Sequence, residues 1–184
     1  ERFNAKQAGR PDLMGGRTTL VLSDGMAGIM ENAFINVKNV SATIEAEVEL
    51  LGKDSGVIIA QGGKFGGWAL YMDQGKPTYA YNWFGLDTYT VQAPKPIRGK
   101  RATIKLDFKY DGDGLGKGGV ATLFVNGDKV AEGRIDKTQP AVFSADETAD
   151  VGKDEGTQVA PLFTSIEDSE FTGRVKTVAV SIRE

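Results

Sequence analysis

Short runs of apolar and β-branched residues, many alternating with polar ones, recur along the chain, and each is bounded by turn residues such as Gly, Asp or Ser. Such runs predict β-strands, because successive side chains of a strand point to opposite faces. In the clearest run, Ile104, Leu106 and Phe108 alternate strictly. The predicted strands are 19–22, 42–50, 57–61, 65–73, 76–83, 88–92, 101–110, 120–125, 129–135 and 174–182.

Turn signals connect several of these strands. Residues 73–76 predict a tight turn, and Asn126 with Gly127 predicts a hairpin, because both residues tolerate positive φ. No long amphipathic helix pattern is visible. Many short strands with turns at regular spacing favour an all-β fold, an antiparallel β-sandwich or jelly roll.

The last predicted strand carries a charged residue near its start. Alternation predicts that Lys176 shares a face with Val178, Val180 and Ile182, whereas Val175 points to the other face. A lysine would therefore lie at the entry of the strand's apolar face.

The length of 184 residues suits one β-sandwich domain spanning 1–184. One stretch, 137–172, lacks a strand pattern and carries Pro140 and Pro161 among several acidic residues. A purely disordered segment would be poor in apolar residues, whereas this one contains Phe143, Val159, Leu162 and Phe163. We predict a long ordered loop that packs on another part of the molecule.

The composition excludes several classes of enzyme active site, because the chain contains neither His nor Cys. Nucleophile pairs that need imidazole or thiolate, zinc fingers and disulfides are excluded. The net charge of -3 argues against a nucleic-acid partner. Charged residues interrupt every apolar stretch before the roughly 18 residues that a membrane span requires, so we expect no membrane insertion.

Two charged patterns are candidate sites. Glu45, Glu47 and Glu49 would share one face of a strand. Paired carboxylates of this kind serve glycoside hydrolysis, but a solvated strand face has the same pattern. A basic run could meet an anionic polymer or form a solvated edge; it comprises Lys95, Arg98, Lys100, Arg101 and Lys105.

A glycine-rich stretch resembles two ligand-binding motifs. Asp111 and Asp113 resemble the start of a calcium loop, but Leu115 and Thr122 stand where that loop requires oxygen ligands. Calcium is therefore a weak candidate, beside a flexible turn between two strands. Residues 114–119 fit a nucleotide-binding pattern but lead into a predicted strand, and such a motif must open a helix.

Aromatic residues concentrate between positions 68 and 89. They are Trp68, Tyr71, Tyr79, Tyr81, Trp83, Phe84 and Tyr89. Tyr79, Tyr81 and Trp83 would share one strand face. A row of rings could stack sugars or pack in a core or between domains, so the candidate ligand-binding or docking residues are Trp68, Tyr79, Tyr81, Trp83, Phe84 and Tyr89.

An ordered set of short segments runs nearly from end to end of the chain. It consists of RFN at 2–4, AGRPDL at 8–13, ENAF at 31–34, NVKN at 36–39, GGWALY at 66–71, YNWFGL at 81–86, GKGG at 116–119 and SADE at 144–147. Taken together, the segments resemble the C-terminal appended domain of bacterial arylsulfatases. The resemblance implies a concanavalin A-like or laminin-G-like sandwich that packs beside a sulfatase catalytic domain.

That family's catalytic nucleophile lies in a C/S-x-P-x-R motif outside the appended domain, and no Ser of this chain is followed two places on by Pro. We therefore expect no catalytic residue and no cofactor here. The chain begins at Glu1 rather than Met, so we expect a fragment of a larger sulfatase. A bacterial periplasmic or otherwise extracytoplasmic location is favoured.

Two functional hypotheses follow. In the first, the chain is a non-catalytic accessory domain that docks on the sulfatase catalytic domain of the same polypeptide and shapes substrate access. The expected docking residues are Trp83, Phe84, Leu86, Tyr89, Phe143, Leu162 and Phe163. In the second, it is a carbohydrate-binding module for sulfated or neutral glycans.

Overall fold

The computed structural model describes residues 13–183. They form strands β1 (Thr19–Leu22), β2 (Ser41–Glu49), β3 (Gly56–Gly63), β4 (Gly66–Asp73), β5 (Lys76–Trp83), β6 (Asp87–Gln92), β7 (Arg101–Tyr110), β8 (Gly119–Val125), β9 (Asp128–Ile135), β10 (Ala149–Val151) and β11 (Arg174–Arg183). A 3-10 turn, Glu31–Ala33, follows β1, and helix α1, Ile166–Ser169, precedes β11. The RFN segment and most of AGRPDL lie outside the described residues.

The strands form two antiparallel sheets. The six-stranded sheet has the order β1-β11-β2-β7-β8-β9, and the five-stranded sheet has the order β10-β3-β4-β5-β6. The prediction of an all-β antiparallel sandwich is confirmed, and all ten predicted strands are present with bounds shifted by at most two residues. Strand β10 and helix α1 were missed, and both lie within 137–172.

The main core lies between the two sheets. Strand β7 shows how the core arises. The even-numbered residues Ile104 and Leu106 are buried, whereas the odd-numbered residues Arg101 and Lys109 point to the other face and are exposed. The facing side chains of the five-stranded sheet include Trp68, Leu70 and Met72 on β4, all fully buried. Alternation along each strand therefore supplies one apolar face to the shared core.

The alternation predicted for the last strand is wrong at its start. A β-bulge between Val175 and Thr177 interrupts the pairing of β11 with β2. The extra residue lets both Val175 and Val178 lie in the core, while Lys176 is exposed. A bulge re-aims side chains in this way because two residues of one strand oppose one residue of its partner.

The five-stranded sheet is covered on its other face as well. Residues 152–163, which we call the strap, belong to the segment predicted as a long ordered loop. A second apolar cluster comprises Val57, Ala60, Ala69, Tyr71 and Ala80 of the sheet with Val159, Ala160 and Phe163 of the strap. The Tyr71 and Phe163 rings meet edge to face, with centroids 5.3 Å apart. Strands β3, β4 and β5 are therefore buried on both faces.

No described helix is long and apolar enough to cross a membrane.

Candidate functional site

Two hairpin tips lie side by side at one end of the sandwich. The β3–β4 tip carries Lys64 and Phe65, and the β5–β6 tip carries Phe84, Gly85 and Leu86. A Cβ built on Gly85 would lie 2.8 Å from the carbonyl oxygen of Lys64, so the two tips are in close contact. We call this region the loop-end surface and define it as Lys64, Phe65, Trp83, Phe84, Leu86 and Lys137.

The loop-end surface exposes large apolar side chains. Phe65 is 67% exposed, Phe84 is 43% exposed and Leu86 is 74% exposed. The Phe84 ring packs edge to face on Trp83, with centroids 5.1 Å apart. Exposed apolar side chains that cluster, rather than being scattered singly, indicate a binding surface.

The backbone at Phe84 is held in an unusual conformation. Phe84 has φ +53°, a left-handed value that bulky residues rarely adopt. The Oδ1 atom of Asn82 accepts a 2.8 Å hydrogen bond from the Gly85 N–H, and the Oε1 atom of Gln139 accepts one of 3.2 Å from the Phe84 N–H. These bonds hold the exposed ring in place, and residues fixed in strained conformations concentrate at functional sites.

Gln139 is a fully buried polar residue that links the loop 137–147 to the hairpins. Its backbone N–H donates to the Tyr81 hydroxyl at 2.8 Å, and its Nε2 donates to the Val142 carbonyl at 3.1 Å. A Cβ on Gly66 would collide with the Gln139 side chain, so glycine is required there for the close approach.

Two lysines lie over the aromatic rings of this surface. The Nζ atom of Lys137 is 4.6 Å from the Trp83 ring centroid, and that of Lys64 is 4.9 Å from the Phe65 centroid. Within residues 13–183, neither lysine has a salt-bridge partner. Their ammonium groups are therefore available to donate hydrogen bonds to a ligand.

Three of the predicted ligand-binding aromatics lie elsewhere. Trp68, Tyr79 and Tyr81 face the six-stranded sheet and are only 1%, 4% and 5% exposed. The Trp68 Nε1 donates to the Gln61 Oε1 at 3.0 Å, and burial raises the pKa of both tyrosines. The prediction that one strand face presents an exposed row of rings for sugar binding is wrong for Tyr79, Tyr81 and Trp83. This face of β5 belongs to the core.

The predicted docking residues divide into three groups by exposure. Phe84, Leu86 and Leu162 are exposed, and Trp83 and Tyr89 are half-buried against the core. Phe143 and Phe163 are buried, which contradicts their assignment to a docking surface. Phe143 packs on the Tyr81 ring at 6.2 Å, and Phe163 belongs to the strap cluster.

Sequence reasoning missed Lys64, Phe65, Lys137 and Gln139. The predicted strand 65–73 begins at Phe65, but Phe65 lies in the turn between β3 and β4. The glycine pairs on both sides, Gly62–Gly63 and Gly66–Gly67, were the available signal for a tight hairpin at this position.

The candidate calcium residues are not arranged as a site. The Nη1 and Nη2 atoms of Arg134 donate to the Asp111 carboxylate, at 3.0 and 2.7 Å, and this bonding lowers the pKa of Asp111. Asp113 is exposed. Among residues 13–183, no group of three or more Asp and Glu side chains could hold a metal ion. Calcium binding by this chain stays a prediction.

Glu45, Glu47 and Glu49 lie in a row on the outer face of the six-stranded sheet. In the β2–β7 register the backbone of Glu45 lies opposite that of Lys105, and the backbone of Glu49 lies opposite that of Arg101. The predicted acidic row on β2 and part of the predicted basic run on β7 therefore lie side by side on one face of the sheet. A row along one strand does not place two carboxylates on opposite sides of a substrate, as glycoside hydrolysis requires.

Asp154 is a fully buried carboxyl group at the base of the strap. Its Oδ2 accepts a 2.7 Å hydrogen bond from the Val159 N–H, and its own N–H donates to the Ser169 hydroxyl at 2.9 Å. Its Oδ1 has no partner among the described residues. Burial raises the pKa of Asp154 to about 7; the bond from Val159 lowers it, and nearby Asp150 and Glu147 raise it further.

No family model matches the chain, and no curated protein matches it. Several solved structures share its fold. Domains LG4-5 of the mouse laminin alpha1 chain match with a TM-score of 0.53 and 12% identity, over 93% of this chain and 40% of that one. The CBM40 of Ruminococcus gnavus IT-sialidase, bound to alpha2,6 sialyllactose, matches with a TM-score of 0.54 and 16% identity, over 91% of this chain and 93% of that one. The NanB sialidase of Streptococcus pneumoniae matches with a TM-score of 0.59 and 12% identity, over 91% of this chain and 27% of that one.

At these identities the likeness defines the fold alone. The fold is a laminin-G-like β-sandwich of the jelly-roll type. One such fold hosts many unrelated functions, so the residues of this chain decide what it binds.

Proposed function

We propose that this domain is non-catalytic and binds carbohydrate at the loop-end surface. The observation that carries the proposal is the pair of exposed rings, Phe65 and Phe84, held on adjacent hairpin tips beside two lysines that have no salt-bridge partner among residues 13–183. Aromatic faces stack on the apolar faces of sugar rings, and the lysines supply hydrogen-bond donors for hydroxyl or anionic groups. The likeness to a CBM40 bound to alpha2,6 sialyllactose adds support at the level of fold.

The strap covers the outer face of the five-stranded sheet, so this face is not the proposed binding site. Val159, Ala160 and Phe163 occupy that face, so a ligand cannot reach it while the strap is in place. The strap is also tied to the hairpin tip, because Thr157 Oγ1 accepts a 2.9 Å hydrogen bond from the Lys64 N–H. The loop-end surface, by contrast, is open to solvent.

Glycan binding can be tested with the purified chain on a glycan array, followed by calorimetric titration of the best ligand. A stacked ring contributes on the order of 1 kcal/mol, so Phe84→Ala or Phe65→Ala should each weaken binding roughly fivefold. Leu51→Ala is a matched control, because Leu51 is also exposed but precedes β3 at the opposite end of the sandwich.

The thermal stability of all three variants should stay close to that of the parent, since each truncated side chain is exposed. An array without any bound glycan would overturn the proposal. So would a Phe65→Ala/Phe84→Ala double variant that binds as tightly as the parent.

A second candidate, an accessory domain of an arylsulfatase, draws on the same exposed apolar side chains. Phe65, Phe84 and Leu86 would then dock on a catalytic domain. The deciding observation is the sequence encoded upstream of Glu1, where this hypothesis requires a C/S-x-P-x-R motif. In the longer polypeptide the double variant should lower the melting temperature, and unchanged stability would count against docking.

A further inference from the structure

The outer face of the six-stranded sheet carries a groove of about 240 Å³. It lies where β2 ends, β7 begins and the β8–β9 turn approaches them. Its lining comprises Glu47, Val48, Arg101, Ala102, Thr103, Asn126 and Lys176. The loop-end surface lies at the opposite end of the sandwich, beside the β7–β8 connection. There the Thr138 hydroxyl, one residue after Lys137, donates a hydrogen bond to the Lys117 carbonyl.

Three groups of the groove have unused hydrogen-bonding capacity. Within the described residues, neither the Arg101 guanidinium nor the Glu47 carboxylate has a side-chain hydrogen bond or an ion-pair partner. Lys176 contacts Glu49 only at 3.5 Å, and both side chains are substantially exposed, so that pair is weak. The groove therefore offers two cations and one carboxylate to a ligand.

The backbone around the groove is fixed. The Asn126 N–H donates to the Thr103 carbonyl at 2.9 Å, and the Thr103 N–H donates to the Asn126 Oδ1 at 2.9 Å. Asn126 lines the groove, and within the described residues its Nδ2 has no hydrogen-bond partner, so it can donate to a ligand. The bulge in β11 turns Lys176 outward onto the same face, and bulges are over-represented beside functional sites.

We propose that this groove binds a sugar acid, that is, a single sugar residue bearing a carboxylate or a sulfate. Arg101 and Lys176 would hold the anionic group, because a guanidinium matches carboxylate and sulfate oxygens in bidentate geometry. Glu47 would accept hydrogen bonds from ring hydroxyls, and Asn126 would donate to a hydroxyl oxygen.

The composition of the groove favours a polar ligand of this size. No aromatic side chain lines it, which argues against an apolar ligand, and a volume of about 240 Å³ suits one hydrated sugar ring better than a chain. Lys176 already contacts Glu49 at 3.5 Å, so Arg101 is the cation of the lining that a neutral sugar would leave without an anionic partner. This proposal does not depend on glycan binding at the loop-end surface, and either one can fail alone.

The test is a titration of the isotope-labelled chain with D-glucuronate, followed through backbone amide chemical shifts. D-glucose 6-sulfate, D-glucose and L-glutamate form the other arms. We expect saturable shifts at Thr103, Asn126 and Lys176 with glucuronate or the sulfated sugar, and the tighter of the two identifies the preferred anion. Binding of glucose at least tenfold weaker is expected.

Variants identify the residues responsible. Arg101→Gln should weaken binding at least tenfold, and Glu47→Gln at least threefold. Lys109→Gln is a matched control, since Lys109 is exposed on the same face of β7 but eight residues away, about 26 Å along the strand. Saturable shifts at Thr103 and Asn126, which line the groove, separate this binding from any binding at the loop-end surface.

Four results would overturn the proposal: no saturable shifts up to 20 mM of either acidic sugar, equal binding of glucose, tighter binding of glutamate, or an Arg101→Gln affinity equal to that of Lys109→Gln. Melting temperatures of the variants, which should match the parent, distinguish lost binding from lost folding.

Discussion

The buried carboxyl group of Asp154 should make the stability of the folded chain depend on pH. The pKa of Asp154 is about 7 in the folded chain, against an ordinary value of 3.8. Between pH 3.8 and about pH 7, Asp154 holds a proton in the folded state that it has lost in the unfolded state. Stability from this group is therefore fully present below about pH 4 and is lost as the pH rises to about 7.

Asp154→Asn should remove this pH dependence, because the amide stays neutral and can still accept the bond from the Val159 N–H. One pKa unit corresponds to about 1.36 kcal/mol, so two units between pH 5 and 7 amount to about 3 kcal/mol. For a chain of this size, each kcal/mol shifts the melting temperature by roughly 2–4 °C. The parent should thus lose roughly 6–12 °C between pH 5 and 8 that the variant retains.

The assay is thermal unfolding followed by circular dichroism at half-unit pH steps, with Asp146→Asn as the control, because Asp146 is an exposed carboxylate of the same segment. Only the Asp154→Asn curve should diverge from the parent. Melting temperatures of the parent and Asp154→Asn that run parallel from pH 5 to 8 would show that Asp154 is not held neutral in the folded chain.

Two further predictions concern activity and the core. The purified chain should not hydrolyse an aryl sulfate with or without calcium, because it lacks the precursor motif of the sulfatase nucleophile; turnover that co-purifies with the chain would contradict this. Trp68→Ala should cost roughly 3–5 kcal/mol in urea unfolding, whereas Phe65→Ala should stay within about 0.5 kcal/mol; similar losses for both would mean that their burial is misassigned.

Strands whose two faces differ were predictable from the sequence. Strand β7 alternates because one face meets the core and the other meets water, so its bounds were found without error. Strand β10 has three residues, all buried, and leaves no alternation to detect. The bulge in β11 was also invisible, since period-two reasoning assumes an uninterrupted ladder.

The candidate site was less predictable, because exposure depends on tertiary contacts. Tyr81 and Phe84 are both aromatic and three residues apart, yet one is in the core and the other is on the surface. What separates them is the end of the strand at Trp83, where the chain turns away from the six-stranded sheet. The groove required knowledge of register, since Glu47 and Arg101 are 54 positions apart in the sequence.

The strap has a consequence for the order in which the sandwich opens. Strands β3, β4 and β5 are shielded on both faces, so their amides can exchange with deuterated solvent only after the strap lifts or the whole domain unfolds. Strand β1, an edge strand of four residues, can open by itself. Hydrogen exchange should therefore resolve a fast edge, an intermediate unit comprising the strap, and a slow centre whose protection reports the global stability.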